Sequence, residues 1–539
     1  MYPQSPPRRA RRRPAAVSSV QRRIHESSAR LVREPNRPPA LTTYELRRIR
    51  LPTPKPRHSL AIAIVLAIVF FGVVLWSSIG DSVNLDTYPL LAVGPLFFVA
   101  VQLVSPRTRF RRDTPLCPTN WGWLLFAIQL VLEPALLIIF GPAHGQLSSF
   151  PGPGAVQEAF VLSCVAYVAY AVGLAMVLRR PPIEQSIGST LDDVAPGAIA
   201  AFILVGAAAM VWDFHSLGQL LSYFTGGFTG HASTNPGSTS LASAASTFLR
   251  PLGAYGLILL WARSAESTRI HRLRFVLSGA GALFVLATYN YDRSAVVIPL
   301  IALVAAYARH IRKLRLRSVV IFGFLLLLLA AAFGNYREIE FATQGGRISL
   351  QQAGITSTPS LESQIQVYGA APQFSGLVIQ DLPSIGGFAS GRTMIASVLS
   401  PLPVVGKGFR SDSGAVRYNE LVYGRSGTVD EVLPFLGELY WNFGPLGVIA
   451  GFFMLGMAIA AFQRRFDASD SILAAFICQY LGMWVAFLIL GSIEVVAQIF
   501  IYFTLPIVAV ALAPKVRHRH TVGPAPPARR SASATSANY

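Results

Sequence analysis

Charge is what this chain has least of. Only 13% of its 539 residues are Asp, Glu, Lys or Arg, against 52% hydrophobic, and the mean hydropathy is +0.47. Soluble domains carry about 25% charged residues, so a string of them is excluded. The many apolar runs leave a polytopic membrane protein. Cysteine is scarce too: Cys117, Cys164 and Cys478. On the topology below, one lies in a cytoplasmic loop and two in membrane helices, which excludes a disulfide framework and a cysteine metal cluster. There is no P-loop, no HExxH and no His/Cys set with metal-ligand spacing. The outer histidines, His144, His215 and His231, are scattered. Neither a metal nor a cofactor is expected.

Acids are the scarcer sign, 26 against 46 bases, a formal net charge of +20. In a soluble protein that excess would suggest nucleic acid. Here most of it lies in the first 58 residues and in short loops between apolar runs, where it sets topology and meets anionic lipid headgroups. Residues 1–58, led by Arg8, Arg9, Arg11, Arg12 and Arg13, hold no apolar run long enough to bury and read as a disordered basic cytoplasmic tail.

From Leu60 onward about twelve apolar runs approach the roughly 20 residues a membrane helix needs. They are 60–79, 88–104, 120–140, 157–178, 197–212, 246–262, 275–290, 295–308, 319–333, 444–462, 472–490 and 495–513. Arginines collect on alternate loops: Arg107 to Arg112, Arg179 and Arg180, Arg263 to Arg274, Arg309 to Arg317, Arg464 and Arg465, then Lys515 to Arg519. The short loops near 80–87, 141–156 and 213–245 hold no Lys or Arg. Positive charge stays inside. Both termini are therefore expected to be cytoplasmic, with a transmembrane domain over 59–513, a tail over 514–539 and a large outer loop over 334–443. That loop mixes apolar residues, turns and both charge signs, and is expected to fold onto the membrane domain, with a short interfacial helix around Ile395 to Leu399.

The chain is organised around Gly437-Glu438-Leu439-Tyr440-Trp441-Asn442-Phe443-Gly444-Pro445-Leu446-Gly447, where the loop enters an apolar run. Glu438 there sits beside whatever the loop binds and is a functional candidate, or else a helix cap or interface anchor, and the aromatics Tyr440, Trp441 and Phe443 belong to that site or to an interfacial belt. Outward arginines are conspicuous against the positive-inside rule: Arg250, Arg293, Arg337, Arg347, Arg392, Arg410, Arg417 and Arg425. Planar guanidinium groups bind phosphate oxygens bidentately, so such a set fits a lipid-linked phosphate or pyrophosphate. The competing reading pairs them locally, Asp292 with Arg293, Glu338 or Glu340 with Arg337, Asp412 with Arg410. Further acids are Glu420 in the loop, Glu494 before the last run, and Glu133 inside the third, where an acid is costly and defaults to a functional or helix-pairing role.

In three places the chain resembles the oligosaccharide repeat-unit (O-antigen, Wzy-type) polymerases, which are related to the O-antigen ligases. They are the Gly437 to Gly447 stretch, the Asp292-Arg293-Ser294 turn, and Tyr336-Arg337 before the large loop. The resemblance implies an all-α polytopic membrane protein of about twelve helices with one large folded outer loop, in a membrane glycosyltransferase (GT-C-like) fold. It also implies a metal-independent transfer of a polyprenyl-pyrophosphate-linked oligosaccharide onto a sugar hydroxyl of a second unit, at the outer face of the cytoplasmic membrane. In that reading Arg293, Arg337, Arg410 and Arg417 hold the pyrophosphate and Tyr440 and Asn442 contact pyrophosphate or glycan. Glu438 or Glu420 is the base. The loop lacks the histidine expected of a ligase. A ligase, and a flippase or exporter of lipid-linked oligosaccharide, remain the alternatives. Expected partners are membrane lipids, a flippase and a chain-length regulator, and no nucleic acid.

Overall fold

The computed structural model describes residues 63–68, 70–72, 84–141, 151–181, 193–214, 241–264, 269–287, 294–311, 321, 323, 371–384, 386–402, 405–423 and 433–515. Both expected tails lie outside these residues, apart from 514 and 515, as does the run 319–333 apart from 321 and 323. Among the described residues the regular structure is helical, with one isolated antiparallel bridge between Val194 and Lys515.

The helices are α1 (Gly94–Val104), α2 (Pro118–Phe140), α3 (Pro153–Leu178), α4 (Pro196–Phe214), α5 (Leu241–Ser264), α6 (Arg269–Ala287) and α7 (Ser294–His310). They continue with α8 (Ala371–Asp381), α9 (Arg392–Leu399), α10 (Gly414–Tyr423), α11 (Phe435–Ala468), α12 (Ile472–Phe487) and α13 (Ile493–Leu512). The starts follow local chemistry. Proline, whose missing N–H is no loss in a first turn, opens α2, α3 and α4. Ser471 and Ser492 cap α12 and α13 by accepting from Ala474 N and Val495 N. Four helices, α2, α3, α11 and α13, are long and apolar enough to cross a membrane. Several shorter ones, including α4, α7 and α12, are as apolar.

Buried apolar side chains form two large clusters. The first joins α1, α2, α3 and α11 around Phe98, Phe126, Tyr167, Tyr170 and Phe452. The second joins α4 to α7 with α12 and α13 around Tyr255, Phe476, Trp484 and Phe503. The most extensively packed helix pair among the described residues is α3 with α11, where a Cβ added at Gly173 would meet the Phe453 carbonyl and one at Gly456 that of Tyr170. Small residues let membrane helices approach to backbone contact. A third, smaller cluster, with Leu377, Val378, Tyr418, Leu433 and Trp441, ties α8 and α10 to α11.

One feature of α11 positions everything that follows. Gly444 has φ 63° and ψ −157°, a conformation open essentially to glycine alone, and the chain reverses there. The Phe435 ring lies 5.4 Å from that of Phe452, and Leu439 touches the backbone face of Gly451. A straight helix would separate residues 435 and 452 by about 25 Å. Residues 435–443 are therefore one limb of a helical hairpin laid back along the start of the long limb, 445–468. Residues 435–443, read from the sequence as the end of the large loop, are helical. Pro445 has no N–H for the Trp441 carbonyl. Ala389 N supplies it instead at 2.9 Å, pinning the loop 386–391 over the break. Gly386, Gly387, Ser390 and Gly391 in that loop all have positive φ.

Gly444→Ala should therefore cost about 1–3 kcal/mol. It is expected to lower the unfolding temperature of the purified full chain, whereas Gly154→Ala, where an added Cβ meets open space, should not.

Candidate functional site

Helix α9 reads Arg392-Thr393-Met394-Ile395-Ala396-Ser397-Val398-Leu399 and runs into Ser400. Thr393, Ser397 and Ser400 fall at i, i+4 and i+7, one face of a helix. All three are buried, while Ile395 and Val398 on the other side are exposed. The polar face meets α11 and α13 in three rungs. Asn442 Nδ2 donates to Thr393 Oγ1 at 2.7 Å. Ser397 Oγ donates to Glu438 Oε1 at 2.7 Å, and Ser400 Oγ donates to Glu494 Oε1 at 2.8 Å. Glu438 and Asn442 are themselves four apart on the short limb, so the hairpin presents both to α9. Glu494 is the second residue of α13.

The chain between α9 and α10 closes the site. Gly414 N donates to Ser397 Oγ at 2.9 Å, and a Cβ at Gly414 would lie 2.5 Å from Glu438 Oε1. Only glycine allows that approach. Arg410, in a short turn just before, lies within electrostatic reach of Glu494 and Tyr502. Tyr502 donates its hydroxyl to the Pro401 carbonyl at 2.6 Å.

The polar atoms that remain are informative. Glu438 is fully buried and its Oε2 makes no hydrogen bond, although the Ile493 backbone lies beside it. Glu494 Oε2, Asn442 Oδ1, and Arg410 Nε and Nη2 are buried without a well-formed hydrogen bond too, although Ser413 and Arg410 lie beside Glu494. Buried charges cost several kcal/mol each unless paired. A fold that holds two carboxyls and a guanidinium half-satisfied is presenting acceptors and donors to something else. Glu438 and Glu494 offer oxygens that can take a hydroxyl proton, and Arg410 offers two N–H groups to an anionic oxygen.

The other expected residues separate from this centre. Asp412 does not pair with Arg410. It accepts from Arg392 Nη2 at 2.7 Å and from Arg417 Nη2 at 2.8 Å, while Arg417 Nη1 reaches Glu420 at 3.3 Å. Those hydrogen bonds, the one from Arg392 foremost, hold the Asp412 carboxyl below its ordinary range. The small stability they add is present at neutral pH and is lost only as pH falls through that lowered value. Arg392 and Arg417 are exposed, so each pair contributes about 1 kcal/mol at most. Arg417 and Glu420 thus sit in a surface ion chain, apart from Glu438. Tyr440 lies two residues beyond Glu438, on the other side of the limb, with its hydroxyl 3.4 Å from Glu158 Oε1 and its ring 6.2 Å from that of Phe388. Arg293 and Arg337 lie outside the described residues.

Sequence reasoning missed Thr393, Ser397 and Ser400, and noted Glu494 without assigning it a role. The available signal was the hydroxyl repeat at helical spacing in an otherwise apolar segment. No family model, no curated protein and no solved structure matches this chain.

Proposed function

We propose that the chain is a multi-pass protein of the cytoplasmic membrane, both termini inside, that polymerises polyprenyl-pyrophosphate-linked oligosaccharide repeat units by glycosyl transfer at the outer face. The topology, with about twelve crossings, rests on the alternation of arginine-bearing and arginine-free loops. The observation that carries the chemistry is the pair of neighbouring half-satisfied carboxyls, Glu438 and Glu494, with the half-buried guanidinium of Arg410 beside Glu494. This is the donor and acceptor set that transfer from a pyrophosphate ester requires.

In this reading Glu438 Oε2 takes the proton of an acceptor hydroxyl as its oxygen attacks the anomeric carbon of the donor sugar. The bond from that carbon to the pyrophosphate oxygen breaks, and polyprenyl pyrophosphate leaves as an anion. It needs cations more than a proton, which Arg410 supplies, with Arg293 and Arg337 as further candidates. Ser397 and Gly414 hold Glu438 in place, fixing Oε1 so that Oε2 is the oxygen left to react. Asn442 Oδ1 is an acceptor for a sugar hydroxyl.

Deletion of the protein from its host, followed by gel separation of surface glycan and lipid-linked precursors, tests this. Single lipid-linked units accumulating outside are expected. Long lipid-linked chains would indicate a ligase instead, and units trapped inside would indicate a flippase or exporter.

A further inference from the structure

A second polar centre lies away from α9, inside α2. Residues 128–132 of that helix form a π-helical turn, followed by Glu133 and Pro134. Glu133 is about 10 Å from the Phe140 end of the helix, at 1.5 Å per residue. It is 2% exposed, and neither carboxyl oxygen has a hydrogen-bond partner. Gln129, four residues earlier and hence on the same side of the helix, is also buried. Its Nε2 donates to Ser163 Oγ of α3 at 3.0 Å, which leaves its Oε1 without a donor. Pro134 adds to the imbalance, because its missing N–H frees a backbone carbonyl one turn back. The Leu130 carbonyl faces the Gly94 backbone of α1 at close range. Among the described residues, three side-chain oxygens here, both of Glu133 and Oε1 of Gln129, therefore have no donor.

The main elements packed on this turn and on residues 133–140 are 89–93, α1 and α3. Their sequences contain no Lys, Arg, His or Asp. Their titratable groups are Glu158, exposed and hydrogen-bonded to Tyr440, with Cys164, Tyr167 and Tyr170, and Tyr88 lies just before 89–93. No cationic side chain of these elements is available to neutralise Glu133. An isolated carboxylate in such a place is unfavourable by several kcal/mol, and among the described residues of these elements nothing neutralises it, which leaves that role to a bound cation.

We infer that Glu133, with the Gln129 side-chain oxygen, forms an intramembrane binding site for a small monovalent cation, either a proton or Na⁺. π turns are frequent at functional sites. Here the turn coincides with an acid and a proline within one helical step. The inference is independent of the glycosyl-transfer reading, since it concerns different residues and is read out as stability.

The test is the unfolding temperature of the full chain, purified in detergent, with and without Na⁺ against choline. Without Na⁺, the wild-type value should drop by several degrees as the medium is taken from about pH 6 to about pH 9, because the bound proton is lost. Recovery on adding Na⁺ at high pH identifies Na⁺ as a ligand, and recovery only on re-acidification identifies the proton. Glu133→Gln, neutral at every pH, should lose the Na⁺ dependence and show a smaller drop with pH than wild type, the remainder coming from Glu438 and Glu494, while Glu158→Gln should keep both dependences in full. A wild-type unfolding temperature indifferent to both Na⁺ and pH overturns the site even if Glu133→Gln does not fold. So does a Glu133→Gln profile that matches wild type.

Discussion

Replacing Glu438 by Gln is expected to stop chain extension, with a loss of about 10²–10⁴-fold, the range a positioned general base supplies. The amide keeps the size of the side chain and still accepts from Ser397 Oγ, so the three rungs between α9, α11 and α13 survive. What disappears is the second oxygen as a base. Because that oxygen is buried without a partner, removing its charge should leave stability unchanged or raise it. Loss of activity with an equal or higher unfolding temperature separates a catalytic role from a structural one. A helix-capping role predicts the opposite pairing, with stability falling and activity following it. Glu494→Gln is the internal comparison. If the larger loss of activity falls on Glu494, the base is the carboxyl on α13 and Glu438 orients it.

The second large effect is expected at Arg410. Arg410→Ala should lower transfer by about 10²–10³-fold, as removal of one charge-stabilising donor does elsewhere. Arg410→Lys should recover only part, since an ammonium cannot present two fixed N–H groups to a phosphate. Arg417→Ala is the contrast. Arg417 is exposed and already engaged with Asp412 and Glu420, so its loss should leave activity near wild type and stability within about 1 kcal/mol. Equal losses at the two positions would mean that the surface ion chain, and not the half-buried guanidinium, meets the substrate. Activity can be followed as the length distribution of lipid-linked product in membranes of equal protein content.

Much of the architecture was legible because hydrophobic runs and Pro or Ser at their starts are strong local signals. The run expected at 157–178 is α3, and that at 197–212 is α4. The reversal at Gly444 was not legible. Gly-Pro marks a break, but whether a chain bends or folds back depends on which side chains wait on the other limb, here Leu439 against Gly451 and Phe435 against Phe452. The candidate site was legible in parts. Glu438, Asn442 and Arg410 stood out by residue type and position. Their grouping depended on α9, whose hydroxyls at 393, 397 and 400 pair with residues 41 to 94 positions away. The competing reading of the sequence paired Arg410 with its near neighbour Asp412. Competition decided otherwise, since Arg392 and Arg417 occupy both oxygens of that carboxyl, and this leaves Arg410 directed inward.

The most direct measurement is in vitro. The full chain, purified in detergent or lipid bilayers, is given a defined polyprenyl-pyrophosphate-linked repeat unit as its only substrate, with a chelator present. Polyprenyl pyrophosphate and oligomeric lipid-linked glycan are then quantified by mass spectrometry for wild type, Glu438→Gln and Arg410→Ala. If the buried carboxyl and the half-buried guanidinium carry the transfer, wild type should release one polyprenyl pyrophosphate per linkage formed, and both variants should release almost none while remaining folded. Wild-type rates in either folded variant, or no linkage formed by the wild-type protein from a unit its own host makes, would contradict it.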